Sequence, residues 1–122
     1  MKKFYFLLLI GVNFLYSQSL PYTTNFNNPS SDENWTHYAI TGTDDWGRGM
    51  ASGVIDPTNL SWETKLNNTP TTSSNMVLQS PSFNLTNANL PYVLSFKYKS
   101  NLNSGNLYLE YSIDNGATWL LL

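Results

Sequence analysis

Asp44, Asp45, Asp56 and Glu63 lie in and around a glycine-rich stretch, Gly42 to Gly53, that also carries Trp46 and Arg48. Carboxylates that converge with backbone carbonyls supply the hard oxygen ligands Ca2+ takes. Asp44, Asp45 and Asp56 are therefore candidate ligands for a calcium ion, the one cofactor the sequence suggests. The spacing is not that of an EF-hand loop. With Asp45 in the first position, the third and fifth are Gly47 and Gly49, which offer no side-chain oxygen, and Asp56 stands where a bidentate Glu belongs. The competing reading is that Asp44 and Asp45 cap turns in a solvated loop. Binding residues concentrate on loops carried by a rigid scaffold, so Trp46, Arg48, Asp44 and Asp45 form the candidate ligand-binding set. An indole offers a flat apolar platform to a sugar ring or a peptide side chain, and the charges beside it set orientation.

Catalytic chemistry finds less support. Glycoside hydrolysis needs two carboxyl groups at a defined separation, and Glu63 with Glu110 are the best pair, but Glu110 falls on the wet face of its strand. His37 is the sole histidine, and the chain has no cysteine, so no His-based zinc cluster can be assembled. A Ser-His-Asp triad is available in composition only, without a nucleophile-elbow motif. The expectation is a protein that is not an enzyme, with His37 an ordinary strand residue.

The elements that must position these groups read as strands. Leu107, Leu109, Tyr111 and Ile113 alternate with Tyr108, Glu110 and Ser112, the two-residue period of a half-buried strand. Asp114-Asn115-Gly116 follows with the residue types that tolerate positive φ in tight hairpins, and Thr118 to Leu122 begins the return strand. Tyr92 to Lys99 is the clearest strand, with Tyr92, Leu94, Phe96 and Tyr98 on one face and Val93, Ser95, Lys97 and Lys99 on the other. Further strands are expected at Tyr22 to Phe26, Trp35 to Thr41, Leu60 to Leu66 and Met76 to Ser80, the last stopped by Pro81. Gly42 to Gly53 and Asn67 to Asn75 are expected as loops, and Ser82 to Leu90 as a connector with Phe83 and Leu85 inward. Trp35, Trp62 and Trp119 are expected in the core. Beyond the leader no apolar helical period lasts three turns, and short strands at this spacing predict an all-β sandwich or jelly roll.

Lys2 and Lys3 precede an apolar run from Phe4 to Val12, and Leu15 and Ser17 occupy the −3 and −1 positions of a cleavage point before Gln18. This is the layout of a secretory signal peptide over residues 1–17. The run is shorter than the roughly 18 residues of a spanning helix, so no membrane span is expected after cleavage. Without cysteine there is no lipobox. Residues 18–33 form a lead-in segment rich in Asn, Ser, Thr and Pro, and residues 34–122 the domain. Beyond the leader the chain keeps Arg48, Lys65, Lys97 and Lys99 against all eight acids. That excess argues against nucleic acid, which requires a basic stripe, and against polybasic attraction to a membrane. Lack of cysteine in an exported chain also excludes disulfide stapling.

The run Asp45-Trp46-Gly47-Arg48-Gly49, then Ala51-Ser52-Gly53 and Ser61-Trp62-Glu63-Thr64-Lys65-Leu66, has a recognisable order. It continues through Leu78 to Leu85, Leu94-Ser95-Phe96-Lys97-Tyr98 and Tyr111 to Trp119. The ordered set resembles the MAM-like jelly-roll domains of bacterial surface proteins, the group that includes choice-of-anchor J, immune-inhibitor-A-type and cleaved-adhesin modules. Composition and leader also resemble those of Bacteroidetes exported proteins. The resemblance implies a non-catalytic, concanavalin-like two-sheet jelly roll, incomplete at its C-terminus, since family members continue with further strands. It also implies a larger multidomain chain, secreted or at the cell surface, that recognises a glycan or a surface protein. The alternative is the accessory or truncated N-terminal part of a secreted hydrolase whose catalytic domain lies elsewhere. Ser112 to Trp119 also resembles the Asp-box of sialidase-type propellers, in which the Asp closes a hairpin over the Trp. A propeller needs repeated boxes, and the chain has one.

Overall fold

The computed structural model describes residues 17–28, 34–50, 58–65, 69, 71, 73–86, 89–100 and 105–122. Among them there is no helix, and eight strands pair into four two-stranded sheets. The strands are β1 (Ser17–Gln18), β2 (Thr36–Thr41), β3 (Trp46–Gly49), β4 (Ser61–Thr64), β5 (Asn75–Gln79), β6 (Ser82–Phe83), β7 (Glu110–Tyr111) and β8 (Leu120–Leu121). The described part of the chain is thus all-β, in line with the alternation and turn chemistry. No helix among the described residues is long and apolar enough to cross a membrane. Residues 1–16 of the expected leader lie outside the described residues.

The longest ladder joins β2 and β5 antiparallel, from Thr36 opposite Gln79 to Ala39 opposite Met76. Its register shifts between Ala39 and Thr41, and Ile40, at the shift, turns outward and is exposed. An extra residue on one strand bends it and frees one side chain from the pleat. Beside this pair, β3 and β4 form a second antiparallel ribbon, from Trp46 opposite Thr64 to Gly49 opposite Ser61. The His37 and Trp62 rings meet across the two ribbons at 5.2 Å between centroids. The lead-in segment packs aromatics against the same body. Tyr22 meets Phe83 at 5.2 Å, Phe26 lies edge-on to Trp35 at 5.3 Å, and Trp35 Nε1 donates to the Tyr22 hydroxyl at 3.0 Å.

Several sequence expectations are corrected. Tyr22 to Phe26 forms no strand: Phe26 N–H bonds the Thr24 hydroxyl, Asn27 N–H bonds Asn25 Oδ1, and Phe26 takes a φ of 59°. Side chains of this type compete for backbone donors and fold the chain into turns. The Gly42 to Gly53 stretch is not all loop, because Trp46–Gly49 is β3. Tyr92 to Lys99 enters no ladder among the described residues, and Tyr92, Leu94, Phe96 and Tyr98 stand exposed. Alternation makes a strand amphipathic but does not supply its partner, and isolated strands gain little. Phe83 and Leu85 are exposed rather than inward, and Trp119 is 38 % exposed where a core position was expected. No large side chain is fully buried among the described residues.

Candidate functional site

Gly42 turns the chain out of β2 with a φ of 79° and delivers Asp44 and Asp45 to the start of β3. Asp44 Oδ1 accepts the Trp46 N–H at 3.2 Å, an Asx turn that starts the strand. Its other oxygen lies 2.6 Å from His37 Nδ1. Thr43 N–H bonds the Ser74 hydroxyl at 3.0 Å, so the loop is pinned to the chain leading into β5 as well.

Asp45 points the other way and is 7 % exposed, the one buried charged or polar residue among those described. Thr71 N–H donates to its Oδ2 at 2.6 Å, and Lys65 Nζ reaches its Oδ1 at 3.4 Å. The Lys65 N–H also donates to the Asp45 carbonyl. The Thr71 amide, foremost, and the Lys65 ammonium after it hold this carboxyl below the usual aspartate range, against the opposing effect of burial. Asp45 therefore ties Lys65 and Thr71 to the start of β3.

Trp46 and Arg48 sit on β3, not in a loop, and both are half-buried. Directly opposed residues of an antiparallel pair share a face, as do alternate residues of one strand. Arg48 stands opposite Trp62, and Trp46 opposite Thr64, so two indoles and a guanidinium share one face of the ribbon. Trp46 Nε1, Trp62 Nε1 and Ser61 Oγ are shut off from solvent and make no hydrogen bond among the described residues. Donors in that position cost about 1–3 kcal/mol each.

The sequence brought Asp44, Trp46 and Arg48 together but missed His37 and Trp62. His37 lies near the start of β2, five residues before Gly42, and no local signal in the sequence pointed to its contact with Asp44. Asp56 lies outside the described residues. Asp44 and Asp45 direct their oxygens at His37, Trp46, Thr71 and Lys65, and among the described residues no three His, Cys, Asp or Glu gather closely enough to hold a metal ion.

A second constellation closes the hairpin between β7 and β8. Asp114 Oδ1 accepts the Thr118 N–H at 2.8 Å and the Ser112 hydroxyl at 2.7 Å, while Oδ2 accepts the Thr118 hydroxyl at 2.6 Å. The Thr118 hydroxyl, then its amide, then Ser112 lower the Asp114 carboxyl to about 2. Ser112 Oγ also accepts the Gly116 N–H at 2.8 Å. A Cβ placed on Gly116 would lie 3.4 Å from Trp119 Cζ2, which puts that indole beneath the turn. All of this serves to hold the turn. No family model matches the chain, and neither does any curated protein or solved structure.

Proposed function

We propose that the chain is a secreted, non-catalytic binding module, a jelly-roll sandwich of the MAM-like kind, that recognises a glycan or a surface protein at the β3–β4 ribbon. The observation that carries this reading is the shared face of Trp46, Arg48 and Trp62, bounded by the His37–Asp44 pair. Two indoles offer apolar platforms, and a guanidinium presents several donors in a fixed plane. Asp44 and Asp45 hold the strand that carries the site, and groups fixed before binding lose less entropy when the ligand arrives. The reading requires no calcium. Its test is retention of the purified chain on immobilised neutral and acidic polysaccharides and on whole-cell surface protein, against Trp46→Ala and Arg48→Ala. Loss of retention in both variants with the fold intact supports the site. Retention unchanged in both overturns it.

The runner-up, in which the chain belongs to a larger secreted hydrolase as an accessory part, draws on a second observation. Phe96, Tyr98, Ser100, Leu107 and Leu109 line an open apolar depression, and Tyr92, Leu94 and Leu120 to Leu122 add further exposed apolar surface. Surface of that kind marks an interaction site, and additional polypeptide packed on it would suit either architecture.

A further inference from the structure

We propose that Asn115–Gly116 is a self-modification site, at which the Asn115 carboxamide reacts with the Gly116 backbone nitrogen, and that the folded hairpin holds the reaction back. The pair is the sole Asn-Gly of the chain. Asn115 is exposed at the turn, and among the described residues its side chain makes no hydrogen bond. Glycine places no side chain beside the nitrogen that must attack, which makes this dipeptide sterically the most open partner for an asparagine amide.

The chemistry is closed on itself except for water. The Gly116 nitrogen loses its proton and attacks Asn115 Cγ. The new C–N bond closes a five-membered imide as the Cγ–Nδ2 bond breaks, and the amide nitrogen leaves with that proton as ammonia. Water then opens the imide at one carbonyl or the other. Position 115 becomes aspartate, or isoaspartate with the main chain rerouted through the former side chain. No oxidant or reductant takes part.

Two features of the hairpin oppose the first step. The Gly116 N–H, the bond that must ionise, donates to Ser112 Oγ at 2.8 Å, and that hydroxyl is itself held by Asp114 at 2.7 Å. Asn115 and Gly116 take successive positive φ values, 57° and 85°, the pattern of a tight hairpin turn. Closing the imide requires rotation about the Asn115 Cα–C bond out of this conformation, which carries Gly116 away from Ser112. The packing of Gly116 over Trp119 resists the same movement. Once formed, isoaspartate adds a backbone atom inside the turn closed by the Ala117 N–H and the Asp114 carbonyl, so the product cannot restore the original hairpin. The ordinary aspartate product sets a second carboxylate beside Asp114.

The test is incubation of the full chain in mildly alkaline buffer, with the mass gain at position 115 followed by peptide mass spectrometry alongside released ammonia. Native chain, urea-unfolded chain and Ser112→Ala are compared. The expected result is faster conversion in urea and in Ser112→Ala, by about fivefold for the variant, the rate equivalent of one net hydrogen bond. Asn115→Gln should release no ammonia from this position. Equal rates in native and unfolded chain overturn the proposal. If Ser112→Ala melts the hairpin, two further measurements decide. Ser112→Thr keeps the hydroxyl and should convert at the native rate. A synthetic peptide of residues 111–119 sets the unprotected rate, and a native chain converting as fast as that peptide overturns the proposal.

Discussion

His37 Nδ1 and Asp44 Oδ2 lie 2.6 Å apart across the turn at Gly42, so the lone histidine fastens β2 to the loop that starts β3. The imidazole also rests against Trp62, and the Asp44 carboxylate also caps Trp46. One pair thereby links both ribbons of the proposed site.

Asp44→Ala removes both the contact with His37 and the turn cap, and should cost about 1.5 kcal/mol in urea unfolding, roughly 0.5 from the exposed side-chain contact and about 1 from the cap. In a double-mutant cycle with His37→Ala, a coupling of about 0.5 kcal/mol is expected. A coupling of zero would show that the contact adds nothing.

Asp114, lowered to about 2 chiefly by the Thr118 hydroxyl, gives an acid dependence of defined sign. Its bonds contribute fully above the ordinary aspartate value of 3.8, where the unfolded chain is also ionised, and the contribution disappears as pH falls toward about 2. Asp45, lowered chiefly by the Thr71 amide, acts in the same direction. The melting temperature should fall across this interval, and Asp114→Asn should flatten part of the fall. An unchanged slope in that variant would place the acid sensitivity elsewhere.

Gly42→Ala should destabilise strongly. A Cβ there would lie 2.6 Å from Ser74 Oγ and 2.9 Å from Ser74 Cα, at a φ of 79°. The left-handed conformation alone costs about 1–2 kcal/mol for a residue with a side chain, and the backbone contact adds to it. At Gly105, where a Cβ meets nothing within 4 Å, the same substitution should cost only the backbone strain of its φ of 127°, without a contact such as that with Ser74. Equal losses in the two variants, measured by thermal melts, would refute the role of the Ser74 contact.

Melting in calcium and in chelator should coincide. A ion that binds only the native state raises its stability, but Asp45 already directs its oxygens at Thr71 and Lys65, and Asp44 at His37 and Trp46. A melting temperature that rises with calcium would show a site assembled from other ligands.

How much of this was legible in the sequence followed the range of each interaction. The turn at Asp114-Asn115-Gly116 was readable because its determinants lie within a few residues: Asn and Gly at positive φ, and a Ser and a Thr within reach of one Asp. β2 and β5 were readable from their β-formers. β3 was hidden by Gly47 and Gly49, which read as loop until Ser61 to Thr64 supplies the opposite strand. Tyr92 to Lys99 shows the reverse, a strong local pattern without a ladder among the described residues. In the site, the turn-capping role of Asp44 was foreseen. The burial of Asp45 was not, because it depends on Lys65 and Thr71, far along the chain.

One of the two shortest sheets carries a consequence for timing. β1 runs parallel to β6, with Ser17 opposite Ser82 and Gln18 opposite Phe83, and the Gln18 carbonyl accepts the Asn84 N–H at 2.9 Å. If, as the sequence leads one to expect, a leader peptidase cuts between Ser17 and Gln18, it would require that same backbone extended in its own cleft. Processing and zippering onto β6 would then compete for one stretch of main chain, and a leader that docked early would shield its own scissile bond. Maturation would then proceed in a fixed sequence, severing before sealing, with the new amino terminus joining the sheet last.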